Sequence, residues 1–268
     1  MKYMGSKRRI APDISGIIND IAAIEGITEY YEPFMGGCSV GELVNIKNRH
    51  MSDINENVVE LFKKLQTGMF EFKFITEEEW HKIKEDKDKA EKYPRWLIGW
   101  CAIMCSWRGR PFEGYAGEYL DKTYNRMVNT QLQGYNSTLK EVDLIKNMEF
   151  KTQNYWEIGH PHGAVIYLDP PYRGTKSYTM VDQFDFDKFD EWVIDLAKDN
   201  LVLISEYRMN GNYANNFKVL RNWNLGTGIG AGRQTDDSFL EYIESLFYVD
   251  GGYLTDKYFN DDDEELDF

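Results

Sequence analysis

Apolar residues in the first 70 positions alternate between helical and extended spacing. Isoleucines at positions 14, 17, 18, 21 and 24 predict an amphipathic helix that starts at residue 7 and is capped by Ser6. The run 29–34 predicts a strand that ends at a pair of glycines. The pattern then predicts a short helix over 39–46, a short strand over 50–53 and a helix over 55–65. This alternation is typical of a parallel α/β sheet.

The alternation is interrupted after residue 65 and resumes at Phe150. The interruption is predicted to contain a Lys/Glu-rich helix over 77–92, an aromatic helix over 94–107 and a glycine- and aromatic-rich stretch over 108–117. Beyond it, the pattern predicts strands over 165–168, 201–205 and 242–249 and a helix over 186–198. We therefore predict a Rossmann-like α/β core formed by residues 1–65 and 150–255, with a mostly helical insertion over 66–149.

Composition excludes several other classes of protein. Of the 268 residues, 42% are hydrophobic and 15% aromatic, which is enough for a substantial core. No apolar run approaches the roughly 18 residues of a membrane span, and no apolar signal segment follows the basic start of the chain. The three cysteines include no CxxC pair and form neither a disulfide framework nor a zinc site. We therefore expect a reduced, cytoplasmic protein.

The net charge of −14 is unfavourable for a protein that binds nucleic acid. The excess is unevenly distributed, however, because residues 1–155 carry 23 acidic and 22 basic side chains. The last residues, 256–268, carry seven acids and one lysine, and such a block of like charge predicts a disordered tail. A basic face on the first half of the chain is therefore compatible with a DNA partner.

Two signals at predicted strand ends favour a nucleoside cofactor. Gly36 and Gly37 follow the first strand directly, and glycines there let the backbone approach a ligand, although an ordinary turn has the same appearance. Asp53 follows the second strand about 20 residues later, where an acid can bind ribose hydroxyls or cap the next helix. The turn lacks the GxGxxG pattern, so a dinucleotide is not favoured.

A third signal, Asp169-Pro170-Pro171-Tyr172, directly follows the apolar run 165–168. Two prolines cannot continue a sheet, lack N–H groups and fix φ, so they form a stiff elbow. This elbow offers a carboxylate, bare carbonyl oxygens and an aromatic face. Such a site suits a planar group bearing an amine, whereas the alternative is a buried turn with a capping aspartate.

These motifs together resemble the Dam-type DNA adenine-N6 methyltransferases, especially their phage-borne relatives. The resemblance covers most of residues 1–250 and has the motif order in which a target-recognition segment precedes the catalytic motif. It rests on Asp169–Tyr172, the upstream Glu32-Pro33-Phe34-Met35-Gly36-Gly37, and four further elements: Lys2–Lys7, Ser52–Asn55, Asn154-Tyr155 and Ser205–Tyr207 with the final Glu244–Phe247.

The resemblance implies an S-adenosylmethionine-dependent methyltransferase fold with this compound as the methyl donor. Tyr3 would lie against the donor's adenine, and Lys7 would hold its methionine end. Cys38 replaces the last glycine of the family's commonest Phe-x-Gly-x-Gly turn, so Gly37 would have to supply the flexibility. The remaining donor contacts implied are Phe34, Gly36 and Gly37 at the methionine end, Asp53 at the ribose, Asn154 at the adenine edge, and Asp169.

The resemblance also implies the chemistry of the elbow. Asp169, Pro170, Pro171 and Tyr172 would hold the target adenine, whose amine is a poor nucleophile because its lone pair is delocalised into the ring. Acceptors for its two hydrogens would favour the reactive geometry by positioning and electrostatics, without a metal or a covalent intermediate. The target must be flipped out of a duplex to reach such a pocket.

Basic residues are interleaved with aromatic residues in the predicted insertion. Such a pattern is typical of contacts to phosphates and stacked bases, although a solvated loop packed on its own aromatics has the same pattern. The candidate DNA-binding residues are Arg108, Arg110, Lys122 and Arg126.

We therefore expect a site-specific methyltransferase that acts on adenine N6 in double-stranded DNA. Two alternatives stay open at this point. One is an adenine-N6 methyltransferase for structured RNA, because the elbow recognises only the base. The other is a catalytically idle DNA-binding or inhibitory protein of the same fold, with the acidic tail mimicking DNA.

Overall fold

A computed structural model describes residues 1, 3, 5–89, 91–172, 184–207, 217–224 and 243–249. The predicted acidic tail, 256–268, lies outside these residues. No helix among them is long and apolar enough to cross a membrane. The same part of the chain contains no group of three or more side chains placed to hold a metal ion.

The described elements alternate largely as the sequence predicts. The strands are β1 (Glu29–Glu32), β2 (Asn48–Asp53), β3 (Glu118–Asp121), β4 (Arg126–Asn129), β5 (Met148–Thr152), β6 (Val165–Leu168), β7 (Leu201–Tyr207), β8 (Phe217–Asn224) and β9 (Ile243–Val249). The helices are α1 (Ala11–Glu25), α2 (Glu56–Gln66), α3 (Glu77–Glu85), α4 (Arg95–Ile103), α5 (Thr130–Leu139), α6 (Val142–Ile145) and α7 (Phe186–Leu196).

Seven strands form one sheet in the order β5-β2-β1-β6-β7-β9-β8. The first five are parallel, and β9 runs antiparallel to both of its neighbours. The predicted α/β fold is confirmed. The strand order reverses between β1 and β6, and open α/β sheets bind their ligands at such a point. The carboxyl ends of β5, β2, β1 and β6 therefore lie side by side where a ligand is expected.

Helix α1 covers one face of the sheet, but it starts later than predicted. Ile14 and Ile18 are fully buried, as their helical spacing predicts. The prediction that Ser6 caps the helix is wrong: Pro12 lies in the first turn, and the Ser6 hydroxyl instead shares a hydrogen bond with Ser39, 2.6 Å away. The helix ends at Gly26, whose φ of 68° suits a residue without a side chain.

Three other helices are shorter than predicted, for local reasons. The predicted helix over 39–46 is only a 3₁₀ turn, Gly41–Leu43. Helix α3 begins with a capping box at Thr76 but ends at Glu85, because the following charged residues pair with Asp86 and offer no apolar side chain to bury. Helix α4 ends at Ile103, and just beyond it the Ser106 hydroxyl donates to the Cys101 carbonyl oxygen.

The chain between α2 and β5 contains α3 to α6 and the antiparallel hairpin β3–β4. Gly99 on α4 lies so close to α2 that a Cβ there would approach the Asn57 carbonyl carbon to 2.9 Å. Gln66, the last residue of α2, donates through its amide to the carbonyl oxygens of Ile145, Lys146 and Met148 at 2.8–3.0 Å. This contact, the Gln66 clasp, joins the point where the chain leaves the sheet to the point where it returns.

Candidate active site

The turn after β1 is shaped by close packing against Tyr3. A Cβ at Gly37 would lie 2.7 Å from the Tyr3 Cβ, and one at Gly36 would lie 3.0 Å from Cε1 of the same ring. Positive φ angles occur at Gly36 (42°) and at the fully buried Cys38 (56°), and Gly37 is not among the positive-φ glycines. The positive φ angle expected at Gly37 therefore occurs at Cys38 instead. This conformation is unusual for a residue with a side chain.

Asp53, at the end of β2, joins this turn to the start of α2. Its Oδ2 accepts a hydrogen bond from the Gly36 N–H at 3.0 Å, and its Oδ1 accepts one from the Asn55 N–H at 2.9 Å. Burial raises the pKa of Asp53, and these backbone donors oppose the rise. The helix cap is Asn55, whose side chain accepts from the Asn57 N–H. Asp53 therefore does not cap α2 and instead joins the turn after β1 to the start of α2.

Asn154 lies at the end of the neighbouring strand, β5. The N–H of the preceding residue, Gln153, donates to the Asp53 carbonyl oxygen at 3.2 Å, so the ends of β5 and β2 are adjacent. The Asn154 N–H donates to the Glu157 carboxylate at 2.6 Å. The next residue, Tyr155, stacks on Phe34 with ring centroids 5.4 Å apart. Phe34, Asp53 and Asn154 are thus brought to one edge of the sheet, as predicted.

The Asp169–Tyr172 elbow follows β6, all four residues of which are fully buried. The sequence indicated that Lys7 would hold the donor's methionine end, but its ammonium lies 2.7 Å from Asp169 Oδ1 and 4.6 Å from the Tyr172 ring centroid. Lys7 is itself only 8% exposed. Lys7 therefore contacts the Asp169–Tyr172 elbow.

Glu32, a residue to which the sequence assigned no role of its own, lies buried at the end of β1 with 2% exposure. The Tyr30 hydroxyl donates to Glu32 Oε2 at 2.7 Å. Gly41 makes room for the carboxyl group, because a Cβ there would lie 2.7 Å from Oε2. Burial raises the pKa of Glu32 to about 8, and the negative charge of Asp169 adds to the rise. The available signal was an acid at the end of a predicted strand, directly before a proline.

The four predicted DNA-binding residues lie on two surface features of the segment between α2 and β5. Arg108 and Arg110 belong to the turn after α4, where Arg108 has a φ of 56° and Arg110 pairs with Glu113 at 3.3 Å. Lys122 lies in the turn of the hairpin β3–β4, and Arg126 begins β4. The exposed Trp107 lies next to Arg108, and the exposed Tyr124 lies between Lys122 and Arg126 in the sequence.

The strand ends place two groups of candidate residues next to each other. The Gly36–Gly37 turn, Asp53 and Asn154 offer backbone groups, a carboxylate and an amide to a polar ligand. Next to them, Asp169 and Tyr172 offer a carboxylate and a ring face to a second ligand. Such an arrangement can hold two reactants side by side.

Comparison with known proteins gives one informative match. No curated protein sequence matches the chain significantly. A family model described as D12 class N6 adenine-specific DNA methyltransferase matches residues 3–229, which include all four strand ends and the elbow. The chain therefore belongs to the D12 class of N6 adenine-specific DNA methyltransferases, enzymes that methylate adenine at N6 in DNA.

Proposed function

We propose that this methyltransferase uses S-adenosylmethionine and acts on an adenine flipped out of double-stranded DNA. The observation that carries the proposal is the position of the Asp169–Tyr172 elbow, directly beside the strand ends that carry Gly36, Asp53 and Asn154. Its cysteines are free and buried, which supports our expectation that it works in the reducing cytoplasm.

The residues at the ends of β1, β2 and β5 fit the donor. Tyr3 packs directly against Gly36 and Gly37, so its aromatic ring and the backbone of this turn lie side by side. Asp53 accepts hydrogen bonds from backbone N–H groups that include those of Gly36 and Asn55, and a carboxylate has about four acceptor positions, so it keeps capacity for a ribose hydroxyl. Asn154 would meet the adenine edge, and Phe34 would flank the methionine end. When bound, S-adenosylmethionine supplies an electrophilic methyl group on a sulfonium ion.

The elbow would activate the target amine. Asp169 and the Pro170 carbonyl oxygen would accept its two hydrogens, and Pro171 has no N–H to compete for that carbonyl. The amine then becomes pyramidal, and its lone pair points at the methyl group while Tyr172 stacks on the ring. Transfer of the methyl group from sulfur to nitrogen would release the amine proton, which the Asp169 carboxylate or water would accept. The rate gain comes from positioning and electrostatics.

We further propose that residues 66–149 are the target-recognition domain. Trp107 and Tyr124 are 58% and 71% exposed. Arg108 lies over the Trp107 ring at 5.9 Å, and Arg126 lies over the Tyr124 ring at 5.4 Å. Arginines stacked on exposed rings suit contact with phosphates and bases. Arg110 and Lys122 would extend the same basic surface.

The test compares the wild-type protein with Asp169→Ala and with Asp195→Ala, a matched change at a surface carboxylate paired with Lys198. Each is incubated with methyl-labelled S-adenosylmethionine and either duplex DNA or structured RNA. We expect label in DNA adenine for the wild type and Asp195→Ala, and no transfer by Asp169→Ala despite retained donor binding. Near-normal turnover by Asp169→Ala would contradict the mechanism. Label confined to RNA would favour an adenine-N6 methyltransferase for structured RNA. No label with any substrate would favour a catalytically idle DNA-binding or inhibitory protein. Modified-base sequencing of DNA from expressing cells would then give the recognition sequence.

A further inference from the structure

The ammonium of Lys7 occupies a position between two groups of the elbow. It donates to Asp169 Oδ1 at 2.7 Å and lies 4.6 Å from the centroid of the Tyr172 ring. The Asp169 side chain is about one-fifth exposed, so this ion pair is largely shielded from solvent. These contacts are a hydrogen bond to the carboxylate and a cation over the aromatic face.

We propose that Lys7 is a placeholder for the target base. This inference rests on the proposed function, in which the adenine amine donates to Asp169 and the adenine ring stacks on Tyr172. The Lys7 ammonium replaces both interactions: it donates a hydrogen bond to Asp169, and its positive charge lies over the Tyr172 ring. The base and Lys7 therefore compete for the same two groups, and Lys7 must leave the Tyr172 face when the base enters.

The negative charge of Asp169 explains why a lysine occupies this position when no base is bound. Glu32, buried at the end of the neighbouring strand, is raised in pKa partly by the negative charge of Asp169. The Asp169 carboxylate is largely buried beside Glu32, and it requires a partner because a partly buried charge without one is costly. Lys7 supplies that partner while the pocket holds no base. Charge-assisted hydrogen bonds are stronger than neutral ones, so an entering adenine displaces a better donor than itself.

This competition gives a prediction whose sign is unusual. A lysine that contacted DNA phosphate would weaken binding when removed. Removing a placeholder should instead strengthen binding of any base that fits the elbow. Thymine has a carbonyl oxygen where adenine has its amine, so it lacks the donor that the elbow is proposed to hold and can gain only through stacking and its ring N–H. It should therefore gain much less from the removal than adenine.

The experiment measures binding of single-stranded d(A)12 and d(T)12 by fluorescence anisotropy without S-adenosylmethionine. Single strands avoid the cost of opening a duplex. The variants are Lys7→Met, which keeps an unbranched apolar stem, Lys7→Arg, which keeps the charge, and Lys64→Met, which removes an equal charge from a lysine 5.6 Å from the Trp96 ring. We expect d(A)12 to bind Lys7→Met about tenfold more tightly than wild type, a change of about 1.4 kcal/mol. Affinity for d(T)12 should rise much less, and neither control should gain affinity for d(A)12.

A second measurement observes the displacement in the unmodified protein. The ¹⁵N resonance of the Lys7 ammonium, identified by its loss in Lys7→Met, should shift on addition of d(A)12 and shift much less with d(T)12. Unchanged or weaker d(A)12 binding by Lys7→Met, or a Lys7 resonance that responds equally to both strands, would overturn the proposal. Because neither measurement needs turnover, failure of methyl transfer and failure of the placeholder would appear in different experiments.

Discussion

Gly99 gives a sharp test of how the segment between α2 and β5 is attached to the sheet. A Cβ added at Gly99 would lie 2.9 Å from the carbonyl carbon of Asn57, closer still to its oxygen, and 3.3 Å from the Leu61 Cβ. Two of these atoms are backbone atoms of α2 and cannot rotate away. Gly99→Ala must therefore separate α4 from α2, next to the helix turn that follows Asp53.

The expected loss follows from two opposing terms. Overpacking a buried contact costs typically about 1–3 kcal/mol, and a rigid backbone neighbour places Gly99→Ala at the upper end. Alanine is favoured over glycine inside a helix by about 1 kcal/mol. We therefore expect Gly99→Ala to lower the free energy of unfolding by about 2 kcal/mol.

Two other helical glycines provide matched controls. Gly16 in α1 has nothing within 4 Å of an added Cβ, so Gly16→Ala should raise the free energy of unfolding by about 0.5–1 kcal/mol. Gly134 in α5 faces only the flexible end of Met104, at 2.6 Å, so Gly134→Ala should have an effect near zero. Urea unfolding of the three variants measures the series. A Gly99→Ala protein as stable as Gly16→Ala would refute the helix contact described here.

Three further predictions concern the site and the tail. Tyr172→Ala should reduce transfer efficiency by about one to two orders of magnitude, because stacking on a base is worth roughly 1–3 kcal/mol; equal losses in Tyr172→Phe would argue against stacking. Since burial raises the pKa of Glu32 from 4.5 to about 8, the folded protein holds a proton that the unfolded chain releases, and stability should fall as pH rises through this window. Urea unfolding across pH should show a smaller fall in Glu32→Gln, and identical slopes would contradict the buried carboxyl. Removal of residues 256–268 should strengthen DNA binding at low salt, with a gain that shrinks as salt is added; equal affinities at low salt would indicate a tail that only solubilises.

The strand-end site could be predicted from sequence because its signals are local. A glycine pair, an acid and a proline elbow each follow an apolar run, and parallel strands bring such ends to one edge of a sheet. The pattern at β6 was especially informative, since its continuous apolar residues indicate a strand buried on both faces. Membership of the family then accounts for the order in which these signals occur along the chain.

Other features could not be predicted because they depend on contacts between distant residues. The ion pair between Lys7 and Asp169 joins residues that are 162 positions apart, and neither has a local pattern that indicates the other. Helix ends were misjudged where a side chain found a tertiary partner, as Ser6 did with Ser39. The hairpin β3–β4 was missed because its exposed strands lack the alternation of a half-buried sheet.

The Gln66 clasp has a consequence for how specificity can diverge. One amide ties the exit of α2 to three carbonyl oxygens at the entrance to β5, so the two ends of the intervening chain are held together at the sheet. The entropy of closing a loop grows only slowly with its length once its ends are fixed. Insertions, deletions or replacement of the chain between Gln66 and Ile145 should therefore change the stability of the sheet only slightly. If this segment recognises the target, as proposed, relatives could exchange it as a cassette and acquire new target sequences while the residues at the strand ends stay unchanged.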